Sequence, residues 1–137
     1  MTRLPKEVFV VVRRGEQFLV VHRAPRGGAY WHGIAGGLEA GESYAEAAAR
    51  ELCEETGFVA QPVEIAEPFV YPIADEPAYS ELFPDVEGIT VGCFLVDVPA
   101  GWEPALNDEH DAYRWCSRDE AVELLYWPEP KDLLRTL

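Results

Sequence analysis

The segment Gly36–Phe58 constrains this chain more than any other. A glycine-bearing turn, Gly36-Gly37-Leu38-Glu39-Ala40-Gly41-Glu42, runs into Arg50-Glu51-Leu52-Cys53-Glu54-Glu55-Thr56-Gly57-Phe58. Ser43 followed by Glu46 is a capping box and predicts a helix opening at Tyr44. Gly57 is its natural stop. Ala45, Ala49, Leu52 and Thr56 follow i, i+4, i+7, i+11 and are expected to form the buried face, with the small alanines packed close against a sheet. Glu51, Glu54 and Glu55 stand three and four apart, so they are expected on one side of the helix, opposite that face. Like charges at this spacing repel by roughly 0.2–0.5 kcal/mol per pair. A divalent cation reverses the sign, and an all-carboxylate setting suits a hard ion such as Mg²⁺ or Mn²⁺ rather than zinc.

The remaining chain reads as one domain spanning residues 1–137, long enough for a real core. Glu7–Arg13 and Gln17–His22 read as a hairpin around Arg14-Gly15-Glu16. Arg23–Ala29 is a basic loop and Tyr30–Ile34 a short aromatic segment. Val63–Ala66 and Pro68–Tyr71 read as two short strands, Asp75–Gly88 as a long binding-type loop, and Ile89–Val98 as a strong strand. Gly101–Asp108 is a second loop and Tyr113–Cys116 a short strand. Ser117 with Glu120 opens another helix, and Pro128–Leu137 adds a short one. Strands on both sides of one helix, with a closing helix, predict a mixed sheet between helical layers.

Charge and cysteine usage narrow the function classes. A formal net charge of −14 disfavours a nucleic-acid polymer as partner, because no basic patch is left to neutralise phosphates. Arg3, Lys6, Arg13, Arg14, Arg23 and Arg26 crowd the first third, where an anionic small molecule is expected to be met. No run approaches the roughly 20 apolar residues of a membrane span, and Met1–Glu7 lacks a secretory apolar core. Cys53, Cys93 and Cys116 are odd in number and scattered, against a disulfide framework and in keeping with a reducing cytoplasm.

The chemistry expected of the turn and helix is metal-assisted hydrolysis of a phosphoanhydride: a cation clamps phosphate oxygens, and a carboxylate takes a proton from the attacking water. Arg50 can orient a carboxylate through a bidentate fork. The fixed positions Gly36, Glu42, Arg50, Glu51, Leu52, Glu54, Glu55, Gly57 and Phe58 resemble the Nudix box in order and spacing, Phe58 standing where an aliphatic residue is usual. The resemblance implies an α+β fold, a Nudix-type α/β/α sandwich, and hydrolysis of nucleoside diphosphates linked to another moiety with Mg²⁺ or Mn²⁺. By the same resemblance Glu54 and Glu55 are metal ligands, and Glu51 is a further ligand or the base. Arg50, Glu42, Gly36 and Gly57 support the loop–helix unit, and the Ala35 carbonyl binds metal. A later acid completes the site: Glu109 is the candidate, with Glu103, Asp108 and Asp111 as rivals.

Substrate choice is less legible. Trp31 and the run Glu109-His110-Asp111-Ala112-Tyr113-Arg114-Trp115 resemble dihydroneopterin triphosphate pyrophosphatases, so a nucleoside or dihydroneopterin triphosphate is the expected substrate. ADP-ribose or a nucleotide sugar is the alternative, Pro72 lying near the proline that marks that branch. A non-catalytic nucleotide-binding module is a further alternative, disfavoured because all three helix glutamates are intact. Trp31, Tyr79 and Phe83 are candidates to stack on a ring, and Arg23 and Arg26 to meet phosphates. His22, His32 and His110 read as structural, Trp102, Trp115 and Trp127 as core or edge aromatics, and the chain as a monomer or homodimer.

Overall fold

The computed structural model describes residues 3–137. Met1 and Thr2, part of the segment read above for a leader, lie outside the described residues. Seven strands and four helices follow the order β1 (Arg3–Arg14), β2 (Gln17–Arg23), β3 (Trp31–His32), β4 (Ile34–Glu39), α1 (Tyr44–Thr56), β5 (Val63–Pro72), α2 (Pro77–Leu82), β6 (Gly88–Asp97), β7 (His110–Cys116), α3 (Arg118–Leu124) and α4 (Pro128–Arg135).

β1 organises the sheet. It forms a tight hairpin with β2, pairs antiparallel with β4, and runs parallel to β6 on its other edge. β5 joins the far edge of β6, while β3 and β7 pair with β2. One parallel pair among antiparallel ones makes the sheet mixed.

Alternation along the strands builds two cores. Val8, Val10 and Val12 of β1, Leu19 and Val21 of β2, and Phe94 and Val96 of β6 face α1, meeting Ala47, Ala48 and Leu52. Phe9 and Val11, Phe18 and Val20, and Val91 and Cys93 face the opposite layer, with Ala121 and Leu125 and with Leu133 and Leu134 of α4. The sheet therefore lies between helical layers, the expected α/β/α sandwich.

Several local expectations change. The α1 capping box forms on both sides, and Gly57 closes the helix at φ 81°. Ala45, however, is exposed, and Ala47 and Ala48 take the sheet-facing positions. Gly92 of β6 leaves room there for the Tyr44 ring. The two short strands over 63–71 are one irregular strand, β5, whose register slips between Glu64 and Ala66 and again before Phe69. The segment 75–88 is no plain loop: a 3-10 turn over Ile73–Asp75 leads into α2, opened by Pro77 at its first turn. Cys53, Cys93 and Cys116 are free thiols. Among the described residues, no helix is long and apolar enough to cross a membrane.

Candidate active site

Arg50 sits at the centre of a network tying the glycine turn to α1. Its Nε and Nη2 fork onto Glu42 at 2.7 and 2.9 Å. Nη2 also donates to the Gly37 carbonyl at 2.9 Å, and Nη1 to Glu51 at 2.8 Å and Glu54 at 3.3 Å. Glu42 further accepts the Glu39 backbone N–H. The Arg50 fork holds the Glu42 carboxyl below its usual range, with the Glu39 amide adding to that. Arg50 itself is held more firmly protonated, first by Glu42.

The three helix glutamates do not share one solvent-facing side. Glu54 is exposed, whereas Glu51 and Glu55 are buried, at 6% and 1% exposure. Glu51 lies over the β4 backbone so closely that a Cβ on Gly36 would strike its carboxyl. Side chains at i and i+4 are stacked on a helix, and Glu51 and Glu55 are in direct contact. Burial pushes Glu51 up, against the pull of Arg50. Burial also pushes Glu55 well above the carboxylate range; its hydrogen bond to Glu51 and then the Glu51 and Glu109 charges add to the rise. One Glu55 carboxyl oxygen is buried without a partner.

Glu109 is held beside this pair by a short chain of bonds. Asn107 Nδ2 donates to the Glu54 carbonyl at 3.1 Å, Asn107 Oδ1 accepts from the Glu109 amide at 3.1 Å, and the Glu109 carbonyl accepts from the Ala24 amide at 2.9 Å. The rival acids are engaged elsewhere or lie apart. Glu103 binds Arg14, Tyr113 and Trp115, Asp111 pairs with His22, and Asp108 is exposed and outside the cleft.

Arg50, Glu51, Glu54 and Glu109, but not Glu42 or Glu55, line a cleft of about 460 Å³, a size usual for small-molecule sites. Ala35, Gly36, Arg50, Glu51, Glu54 and Glu109 line one end, and Arg3, Glu7, Tyr71, Asp75, Glu76 and Tyr79 belong to its other lining residues. Of the substrate-binding candidates, Arg23 and Tyr79 line the cleft; Arg26, Trp31 and Phe83 do not. Arg26 is exposed on a 3-10 turn. Trp31 packs edge-on against His22, and Phe83 stacks behind Tyr79. The early arginines also disperse: Arg13 pairs with Asp97 and Arg14 with Glu103, leaving Arg3 and Arg23 in the cleft.

Sequence reasoning missed Glu7, Tyr30, His32, Tyr71, Trp127 and Glu129 as lining residues. One signal was available: Glu7 shares the strand parity of Phe9 and Val11, so an acid was written into an inward position. His110 lies 3.8 Å from Glu55 with both ring nitrogens unpartnered. Burial and the Arg23 charge keep it below its ordinary pKa. His32 is driven to about 3, chiefly by burial.

A divalent cation fits this end of the cleft by donor chemistry. The donors are hard oxygens, two buried carboxyls press on one another, and one carboxyl oxygen lacks a partner. Among the described residues, no three acidic, His or Cys side chains already close into a cage. Arg50 occupies lone pairs of Glu51 and Glu54 instead.

A family model described as NUDIX domain matches residues 3–137. The chain belongs to the NUDIX family. Its fold is similar to that of the Escherichia coli dihydroneopterin triphosphate pyrophosphohydrolase, at TM-score 0.83 and 21% identity over 100% of this chain and 97% of that one. It is similar also to a NUDIX hydrolase from Listeria monocytogenes, at TM-score 0.79 and 27% identity over 96% and 90%. Among curated proteins it is 38% identical to an octanoyltransferase of Myxococcus xanthus, over 86% of this chain and 32% of that protein. It is 54% identical to the phosphatase NudJ of Escherichia coli over 40% of this chain and 36% of that protein. The chain thus spans about a third of the length of the curated relatives it matches.

Proposed function

We propose that the chain is a Mg²⁺- or Mn²⁺-dependent pyrophosphohydrolase that cleaves a phosphoanhydride bond in a small nucleotide-like molecule, most specifically a nucleoside triphosphate or dihydroneopterin triphosphate. The observation that carries the reading is the buried Glu51–Glu55 pair, with its unpartnered oxygen, whose Glu51 lines a cleft braced by Arg50. Eight acids and three arginines line that cleft. A polyphosphate meets net repulsion there unless it arrives with compensating cations. The triphosphate assignment draws support from the overall likeness to the dihydroneopterin triphosphate enzyme.

Glu51, Glu54, Glu55, Glu109 and the Ala35 carbonyl would hold the cation, which when bound neutralises charge on phosphate oxygens and acidifies water. The protein's own groups do the rest. Arg50 and Glu42 keep the glycine turn and α1 in register, which sets Glu51 against the β4 backbone next to Ala35. Glu51, a ligand or the base, can accept a proton from the attacking water. Arg23, whose Nε is buried without a partner, meets the phosphate chain. The free thiols suit a reducing cytoplasm, where a monomer or homodimer would act on a small molecule.

A substrate panel with product analysis tests this: nucleoside triphosphates, dihydroneopterin triphosphate, ADP-ribose, nucleotide sugars and dinucleoside polyphosphates, each with chelator, Mg²⁺ or Mn²⁺. Release of pyrophosphate from a triphosphate, abolished by chelator, is the expected result. Cleavage confined to ADP-ribose or sugar nucleotides would move the substrate class, and full turnover in chelator would end the mechanism.

A further inference from the structure

The sheet face away from α1 contributes a second polar group to the cleft. Glu7 stands on β1 opposite Gly37 of β4 and Val91 of β6. Phe69 and Tyr71 of β5 lie opposite Val91 and Ile89, so the cleft floor is one carboxyl set among aromatic and aliphatic groups. The Tyr71 hydroxyl donates to Glu7 Oε1. Tyr79, on α2, is 5% exposed, and its buried hydroxyl lies beside Glu7 without a well-formed hydrogen bond. Arg3 lies over the Tyr79 ring at 5.5 Å rather than forked onto Glu7. Asp75 and Glu76 line the same cleft.

A buried hydroxyl without a well-formed hydrogen bond costs about 1–3 kcal/mol, and native sites retain such groups where a ligand completes them. The charge here says which ligand. Three acids repel a second phosphate and favour a group rich in N–H donors. A carboxylate offers two parallel acceptors; an oxygen already bonded to Tyr71 keeps a second lone pair. The matching partner presents two parallel donors, a ring N–H beside an exocyclic NH₂.

We propose that Glu7, with the Tyr71 and Tyr79 hydroxyls, is the subsite for the ring of the substrate and selects a 2-amino-4-oxopyrimidine edge, the donor pair that guanine and pterin rings share. Adenine and cytosine set a ring acceptor beside their single amino donor, and uracil flanks its one N–H with two acceptors. Each leaves a Glu7 oxygen facing a lone pair. Phe69 and Leu82 supply apolar surface for the ring faces. The inference rests on the triphosphate reading above, which sets the phosphates at the glutamate end, but its test does not depend on turnover.

The test is calorimetric binding to the full chain in chelator, with guanosine 5′-monophosphate and dihydroneopterin against the monophosphates of adenosine, cytidine and uridine. The guanine and pterin compounds are expected to bind at least about 10-fold more tightly than the others, and Glu7→Gln, whose amide sets one donor beside one acceptor, to weaken them about 10- to 100-fold while weakening neither the adenosine nor the cytidine compound. Tyr71→Phe, which loosens Glu7 without removing it, is expected to cost the same ligands less. Equal affinity across the rings, no binding of guanine or pterin at millimolar concentration, or unchanged selectivity in Glu7→Gln overturns the subsite. Ring selectivity without hydrolysis of any triphosphate would sink the hydrolase reading and keep the subsite; hydrolysis without ring preference would do the reverse.

Discussion

Gly36→Ala isolates the geometry of the proposed metal end from its chemistry. The substitution adds one methyl group and no charge, in a β-strand where alanine is tolerated. A Cβ at this position would lie closer than 3.0 Å to the carboxyl carbon and both oxygens of Glu51. Ordinary contact between non-bonded heavy atoms is about 3.5–4.0 Å, so the carboxyl must retreat by roughly 1 Å, or β4 must lift from α1. Retreat is hindered, since Arg50 holds Glu51 at 2.8 Å while itself forked on Glu42. A misplacement of roughly 1 Å at a reacting centre costs about 100-fold in rate, and overpacking of this kind costs about 1–3 kcal/mol of stability. Steady-state kinetics on the substrate found by the panel should show kcat reduced by about 100-fold with KM much less affected. A thermal melt should show Tm lowered by several degrees. Gly101→Ala is the control, because nothing lies within 4 Å of a Cβ there, and it should match the parent in both assays. A Gly36→Ala protein with parental kcat would refute the claim that Glu51 is held in a reactive position by contact with the strand.

Glu55→Gln should lower turnover by orders of magnitude yet raise the Tm of the metal-free protein near neutral pH, because a neutral amide avoids the cost of protonating or ionising that buried carboxyl; a metal-free Tm below the parent's counts against that account. Glu54→Gln, at the exposed position, should lower hydrolysis by orders of magnitude with an unchanged melt, and near-parental turnover would remove Glu54 from the ligand set. Arg50→Lys loses the fork on Glu42 and the bond to Gly37 and should cost about 1–3 kcal/mol in chemical denaturation; a parental midpoint would show that the network does not brace the turn. Burial raises Glu7 above its ordinary value of 4.5, outweighing Tyr71, Arg3 and Tyr79, with Glu76 adding to the rise. The folded protein then keeps that proton to higher pH than the unfolded chain, so the contribution is full below about 4.5 and is lost as pH climbs through the folded pKa. Melts of the parent and Glu7→Gln should therefore diverge in the variant's favour as pH rises from about 4.5 to 8, and parallel curves would show that Glu7 titrates normally.

The fold was legible because its signals were local. Capping boxes at Ser43 and Ser117, Gly57 as a stop, and the continuous apolar runs of β1 and β6 need no tertiary partner to be read. The helix 77–82 escaped because it is short, opened by a proline, and held by packing of Tyr79 into the core rather than by a periodic pattern. The buried face of α1 was misplaced for a different reason. Periodicity assigns glutamates outward and alanines inward, and α1 does the reverse at Ala45, Glu51 and Glu55. The Glu51 carboxylate is buried where the partner surface is a glycine backbone, at Gly36, and where a cation stands close, Arg50.

The motif residues and the misread positions therefore express one constraint. Gly36 is needed because Glu51 must occupy the space its side chain would fill. Arg50 is needed because Glu51 in that space has lost its water. Glu42 fixes Arg50 so that the guanidinium braces the turn instead of collapsing fully onto Glu54, to which its contact is already a longer 3.3 Å. Glu55 has no arginine on it, and one of its oxygens is left buried without a partner. Removing Arg50 should then do more than loosen the turn. It should leave Glu51 and Glu55 repelling one another in a site of low dielectric, so that the metal-free variant is destabilised more than the cation-loaded one.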